Sequence, residues 1–143
     1  MSITPYAARI SGQGSRSETR GKRLLCVDDD EDTGQMMCIL LAERGYEVTV
    51  ATSVNDALAL AKREKFDLYI LDNWFSQGTG VELCEQIRAF DPLTPIMFYS
   101  GVAYEAEIKK VMNCGAQAYL VKPDIKGLKE TIARLLNEAT MRA

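Results

Sequence analysis

Five residues of this chain could do chemistry together if the fold brought them to one place: Asp28, Asp29, Asp72, Ser100 and Lys122. Each comes directly after a short apolar run. LLCV precedes the acidic pair, FDLYIL precedes Asp72, IMFY precedes Ser100 and AYLV precedes Lys122. Three carboxylates and one ammonium leave two net negative charges, and crowded carboxylates either keep a proton or recruit a cation. Oxygen donors with no histidine or nearby thiolate favour Mg²⁺, whose charge balances the cluster. A magnesium site beside a carboxylate, a hydroxyl and a lysine suits phosphoryl transfer. The cations neutralise the phosphoryl oxygens, the hydroxyl donates to one of them, and a carboxylate serves as nucleophile. Asp72, between the other donors, is the expected nucleophile.

The elements that must position these residues are legible as alternating periods. FDLYILD is a run of β-formers ending abruptly on a carboxylate, and the following NWFSQGTG turns the chain. After the acidic cluster, Met37, Leu40, Leu41 and Arg44 keep helical spacing, with Asp32 or Thr33 as N-cap and Gly45 as the stop. YEVTV alternates like a half-exposed strand at a sheet edge. Ser53 caps a helix whose Val54, Ala57, Leu58 and Ala61 share a face, and Asp56 lies in its first turn. Leu83, Ile87 and Phe90 stripe a third helix that ends at Asp91-Pro92, and Pro95 to Tyr99 is the fourth strand. Ile108, Val111 and Met112 stripe a short helix with Glu105 and Lys109 paired on its outer side, and Leu128, Ile132, Leu135 and Leu136 stripe the last. Five strand–helix alternations specify an α/β sandwich with a parallel sheet and helices on both faces. In such sheets ligands collect beyond the carboxyl ends of the strands, where the strand order reverses.

Composition narrows the function. At 143 residues, 47% apolar and 26% charged, the chain suits one domain with its own core. No apolar run approaches the ~20 residues that cross a bilayer, and no secretory signal opens the chain, so a cytoplasmic location and no membrane partner are expected. The absence of histidine removes Ser-His-Asp and Cys-His nucleophiles. Cys26, Cys38, Cys84 and Cys114 lie far apart within apolar patterns and read as reduced core residues. Residues 1–23 hold five basic side chains against Glu18, a net +4 that leaves −7 for the remainder. Residues 1–22 have the composition of a disordered basic arm, and residues 23–143 are the folded domain. Four net charges are a small footprint, and no nucleic-acid partner is expected.

The chain resembles the receiver domains of two-component response regulators over about 120 residues from Arg23 onward. The resemblance is carried by VDDDED, YILDNW, YSG and YLVKP, whose key residues are spaced by 43, 28 and 22 positions. It implies a flavodoxin-like (βα)5 fold with strand order 2-1-3-4-5. It further implies that Asp28, Asp29, Asp72 and the Trp74 backbone carbonyl hold Mg²⁺, and that Asp72 accepts the phosphoryl group. Ser100 and Lys122 would grip its oxygens, and Lys122-Pro123 would be a cis peptide. Ser100 would move inward on phosphorylation while Tyr119 rotates, and the face from Tyr104 to Ala139 would meet a downstream protein. The donor would be a sensor histidine kinase or a phosphotransfer protein. The chain would be a stand-alone receiver, monomeric or dimerising on phosphorylation, and no enzyme beyond self-catalysed transfer and slow self-dephosphorylation.

Two departures from the family pattern bear on the site. Ser76 stands where proline is common four residues after the acceptor, and Gln77-Gly78-Thr79-Gly80 reads as a pliant loop. Trp74 and Val102 are placed to restrict an attacking water. Among competing readings, a magnesium-dependent phosphohydrolase of the haloacid-dehalogenase type finds a D-x-D in Asp28 and Asp30 but no second acidic pair beside Asp124 and no room for a cap domain. A calcium loop fails because Thr33 takes the glycine position and Ile39 that of the bidentate glutamate. Nucleotide binding lacks a glycine-rich loop after the first strand. A receiver-like scaffold that is never phosphorylated is the remaining alternative.

Overall fold

The computed structural model describes residues 8–10, 21–102 and 104–142. Its elements in chain order are β1 (Ala8–Ile10), β2 (Arg23–Val27), α1 (Glu31–Ala42), β3 (Glu47–Ala51), α2 (Val54–Arg63), β4 (Leu68–Leu71), α3 (Gly80–Phe90), β5 (Ile96–Ser100), α4 (Glu105–Asn113), β6 (Ala118–Val121) and α5 (Ile125–Arg142). The sheet runs β1-β3-β2-β4-β5-β6, and all neighbours from β3 to β6 are parallel. Those five strands have the expected 2-1-3-4-5 order. The order reverses at β2, so Asp28 and Asp72 leave adjacent strands at the same end of the sheet.

Burial explains why the apolar runs are continuous. β4 and β5 are buried along their whole length, because helices cover both faces. One core packs Leu25, Leu71, Phe98, Leu83 and Ile87, and the other packs Leu24, Ile70, Met97, Leu41 and Leu128. Each such leucine or isoleucine stabilises the fold by roughly 1.5–3 kcal/mol relative to its exposed state. The α5 stripe is seated as its spacing predicts, with Leu128, Ile132, Leu135 and Leu136 all buried.

Several local expectations are corrected. The strand β1 lies within the stretch expected to be disordered; it pairs antiparallel with β3, Arg9 opposite Thr49. The rest of 1–20 lies outside the described residues. β3 is therefore not an edge, and Val48, Thr49 and Val50 are all buried. An exposed edge offers a row of free N–H and C=O groups, and even three residues of chain satisfy part of it. The α1 N-cap is Asp30 rather than Asp32 or Thr33, and the Thr33 hydroxyl donates back to Asp30 Oδ2 at 2.6 Å. In α2 it is Leu60, not Leu58, that is fully seated with Val54, Ala57 and Ala61. Phe90 and Met112, the last residues of their stripes, end up substantially exposed.

The α2 cap falls as expected, and α3 has a cap that its loop sequence did not suggest. Ser53 Oγ accepts from Asp56 N, and Thr79 and Glu82 close a capping box on α3. All four cysteines are free, three of them buried. Among the described residues no helix is long and apolar enough to cross a membrane.

Candidate functional site at the strand ends

β2, β4, β5 and β6 end beside one another and deliver Asp28 and Asp29, Asp72, Ser100 and Lys122 to a common site. Asp28, Asp29 and Asp72 each offer a carboxylate oxygen, and these atoms lie within 4.8 Å of one another. Lys122 Nζ donates to Asp28 Oδ2 at 2.6 Å and lies 3.7 Å from Asp72 Oδ2. Asp28 is 7% exposed and Ser100 only 1%. The other Asp28 oxygen, Oδ1, accepts from the Asp30 N–H at 2.9 Å. Asp30, Glu31 and Asp32 line an open cleft beside the site together with Asp29, Thr52 and Ser76.

Burial sets the electrostatics. It raises the Asp72 carboxyl above its ordinary range; Lys122 pulls it down, Asp28 pushes it further up, and the Asn73 N–H and Ser100 hydroxyl lower it again. For Lys122 burial works toward a lower value, yet the hydrogen bond to Asp28 and the charges of Asp28 and Asp72 leave it raised. The ammonium therefore stays charged. One cation among three carboxylates leaves the cluster short of positive charge, and its donors are all oxygens. That set fits a hard divalent cation.

The loop after Asp72 is held rather than pliant. Trp74 bridges to Thr79, Phe75 N donates to Gly78 O at 3.2 Å, and Gly80 N donates to Asn73 O at 2.8 Å. Gly78 has φ +107, a conformation glycine adopts without strain. At Gly80 a Cβ would lie 2.2 Å from the Asp72 carbonyl oxygen and 2.6 Å from the Phe98 ring, so only glycine lets α3 start this close to the acceptor. Trp74 itself is half exposed.

Tyr119 stacks on Phe98 with centroids 6.2 Å apart, and its hydroxyl donates to the Val102 carbonyl. Burial raises its phenol, the Ser100 hydroxyl lowers it, and Asp72 and Glu107 raise it further, which sets the hydroxyl within the field of the site. Lys122-Pro123 is cis. Asp124 is occupied elsewhere: its Oδ1 accepts from Gly127 N at 2.9 Å at the start of α5. It supplies no second acidic pair for a phosphohydrolase.

Sequence reasoning gave no role to Asn73 or Glu107 and took Gly80 only as part of a pliant loop. Asn73 is 1% exposed; its N–H donates to Asp72 Oδ1 at 2.8 Å and its Nδ2 approaches Glu107 Oε2 at 3.5 Å. The signal available was a polar residue placed directly behind a strand-end acid. Its partner lies 34 positions away on α4 and carries no local mark.

The comparisons with known proteins agree with this geometry. The response regulator receiver domain model matches residues 24–133. The chain is 34% identical over 119 residues to the transcriptional regulatory protein ZraR of Salmonella typhimurium, covering 82% of this chain and 27% of that protein. It is 35% identical over 104 residues to the alkaline phosphatase synthesis transcriptional regulatory protein PhoP of Bacillus subtilis, covering 71% and 42%. The CheY-like receiver domain protein of Methanospirillum hungatei superposes with a TM-score of 0.82 at 31% identity, over 86% of this chain and 99% of that one. Chemotaxis protein CheY4 of Vibrio cholerae does so with 0.77 at 30%, over 80% and 98%. The chain spans between 26% and 48% of the length of the first curated relatives it matches. A family model covering most of the chain, together with a shared fold, establishes that this chain belongs to the response regulator receiver domains.

Proposed function

We propose that this receiver takes a phosphoryl group on Asp72 from a phosphohistidine of a sensor kinase or phosphotransfer protein and uses it to switch a protein–protein contact. Receiver domains act in phosphorelay signalling with such donors and are not enzymes in the usual sense. The observation that supports the reading is Lys122, whose ammonium lies 2.6 Å from Asp28 and 3.7 Å from Asp72 Oδ2. A fixed positive charge there would stabilise the negative charge of a phosphoryl oxygen bound at Asp72.

In the transfer, Asp72 Oδ2 bonds to phosphorus as the P–N bond of the donor breaks and its electron pair returns to the imidazole nitrogen. Asp72 Oδ1 is held by the Asn73 N–H, so the carboxylate presents its other oxygen. Lys122 and the Ser100 hydroxyl then bind oxygens of the acyl phosphate. Receiver domains typically use Mg²⁺, and here Asp28, Asp29, Asp72 and the Trp74 carbonyl would hold it, neutralising charge on the transferring group. Hydrolysis returns inorganic phosphate and the free carboxylate, and Trp74 and Val102 slow the approach of the water.

Inward movement of Ser100 to the phosphoryl group empties space beside Tyr119, whose hydroxyl then leaves the Val102 carbonyl and reshapes the face from Tyr104 to Ala139. Tyr104 is 76% exposed on that face and offers an apolar contact to a downstream protein. The test is intact mass after acetyl phosphate and Mg²⁺. Wild type gains one phosphoryl group that persists for minutes; Asp72→Asn gains none. An Asp72→Asn protein that is labelled as fully as wild type overturns the assignment, and a half-life of seconds overturns the slow hydrolysis.

A further inference from the structure

Among the described residues, the buried side-chain polar atom with no hydrogen-bond partner is Asn73 Oδ1. Buried acceptors are rarely left without a partner, and one beside a functional site calls for a physical reason. Asn73 also occupies an unusual position. Its main chain belongs to the acceptor: the N–H binds Asp72 Oδ1 at 2.8 Å, and the C=O takes the Gly80 N–H at 2.8 Å. Its side chain instead reaches α4, where Nδ2 lies 3.5 Å from Glu107 Oε2 in the first helical turn.

That contact is at the long limit of a hydrogen bond and is easily given up. Glu107 is half-buried, reaches the side chain of the residue next to the acceptor, and makes no ion pair among the described residues. Its carboxylate also acts on the Tyr119 hydroxyl, as does that of Asp72. A phosphoryl group raises the negative charge at Asp72 toward −2. Repulsion between that charge and Glu107 is weakly screened in a partly buried site. What the Asn73 amide loses when Glu107 leaves is one long contact donated by Nδ2, so the restraint to be overcome is small.

We propose that the Asn73–Glu107 contact holds the first turn of α4 in its unphosphorylated position, and that negative charge arriving on Asp72 breaks it by repelling Glu107. The inference rests on Asp72 being the phosphoacceptor and adds the means by which its charge reaches α4. Asn73 is a positioning residue here, touching the acceptor through its backbone and the switch helix through its amide. The bland alternative, a buried asparagine satisfied by a water molecule, requires no charge at position 107.

Hydrogen exchange of residues 105–113, with and without beryllofluoride and Mg²⁺, tests it. In wild type the mimic speeds exchange of the first turn of α4. Glu107→Gln keeps the shape and an acceptor oxygen but removes the charge; it binds beryllofluoride roughly threefold tighter or more at low salt and loses most of the exchange response. The affinity gain shrinks at high salt. Asn73→Ala shows fast α4 exchange even without the mimic; if that variant folds poorly, Glu107→Gln alone decides. Glu107→Gln with wild-type affinity and a wild-type exchange response overturns the linkage. Wild type that gains phosphoryl mass yet shows no change in α4 exchange overturns the linkage alone, and wild type that gains no phosphoryl mass overturns the phosphoacceptor reading with it.

Discussion

Lys122 Nζ and Asp28 Oδ2 meet at 2.6 Å although 94 residues separate them in the chain. The contact exists because β2 and β6 end on the same side of a parallel sheet, and it makes Lys122 both a structural counter-ion and a candidate ligand of the phosphoryl group. Replacing it with methionine removes the charge and keeps much of the packing. Asp28, 9% exposed at its side chain, then loses its ion-pair partner. The expected cost is about 2 kcal/mol, less than for a fully buried pair because Lys122 keeps some contact with water. Urea unfolding measures it, and the same variant should lose phosphoryl labelling from acetyl phosphate.

A divalent cation should stabilise the native state, since the acidic cluster is assembled only by folding. At ten times its dissociation constant the gain is about 1.4 kcal/mol. Thermal unfolding with and without Mg²⁺ reads it out, chelator reverses it, and Asp29→Ala abolishes most of it. An equal gain in Asp29→Ala would place the ion elsewhere.

Gly80→Ala inserts a Cβ 2.2 Å from the Asp72 carbonyl oxygen. Backbone cannot yield as a flexible side chain can, so α3 or the end of β4 must shift. The expected loss is about 1–3 kcal/mol of stability, accompanied by slower phosphoryl labelling. Chemical denaturation and labelling rate measure the two effects. Normal labelling in a destabilised variant would show that Asp72 tolerates the shift.

Asp91 gives a dependence on acid remote from the strand ends. Burial works to raise its carboxyl, but hydrogen bonds from the Thr94 side chain and from the Thr94 and Leu93 N–H groups outweigh it and hold it below the ordinary value. A carboxyl depressed in the folded state contributes stability that is present above its unfolded pKa and is lost as pH falls through its folded one. Wild type should therefore weaken through that window more steeply than Asp91→Asn. At pH 7 the variant should be about 1 kcal/mol less stable, because Asp91 Oδ1 accepts both backbone N–H groups of the turn as a charged acceptor and a neutral amide oxygen holds them more weakly. Unfolding curves at pH 7 and at pH near 3 distinguish the two proteins.

The sequence alone determined the five strand–helix alternations of the domain and the five polar residues at the strand ends. Both are written in local pattern: apolar runs that stop on a carboxylate, hydroxyl or lysine, and helix stripes that stop at glycine or before proline. Because parallel strands with helical crossovers must run the same way, the four strand ends that carry those residues had to fall on one side of the sheet. Tertiary structure decided what depends on distance. It paired β1 with the presumed edge strand β3, fixed the Gln77–Gly80 loop through close approach of Gly80 to Asp72, and brought Glu107 to the amide of Asn73. None of these leaves a periodic trace, since each is a single contact between residues far apart in the chain, chosen only once the layers have packed.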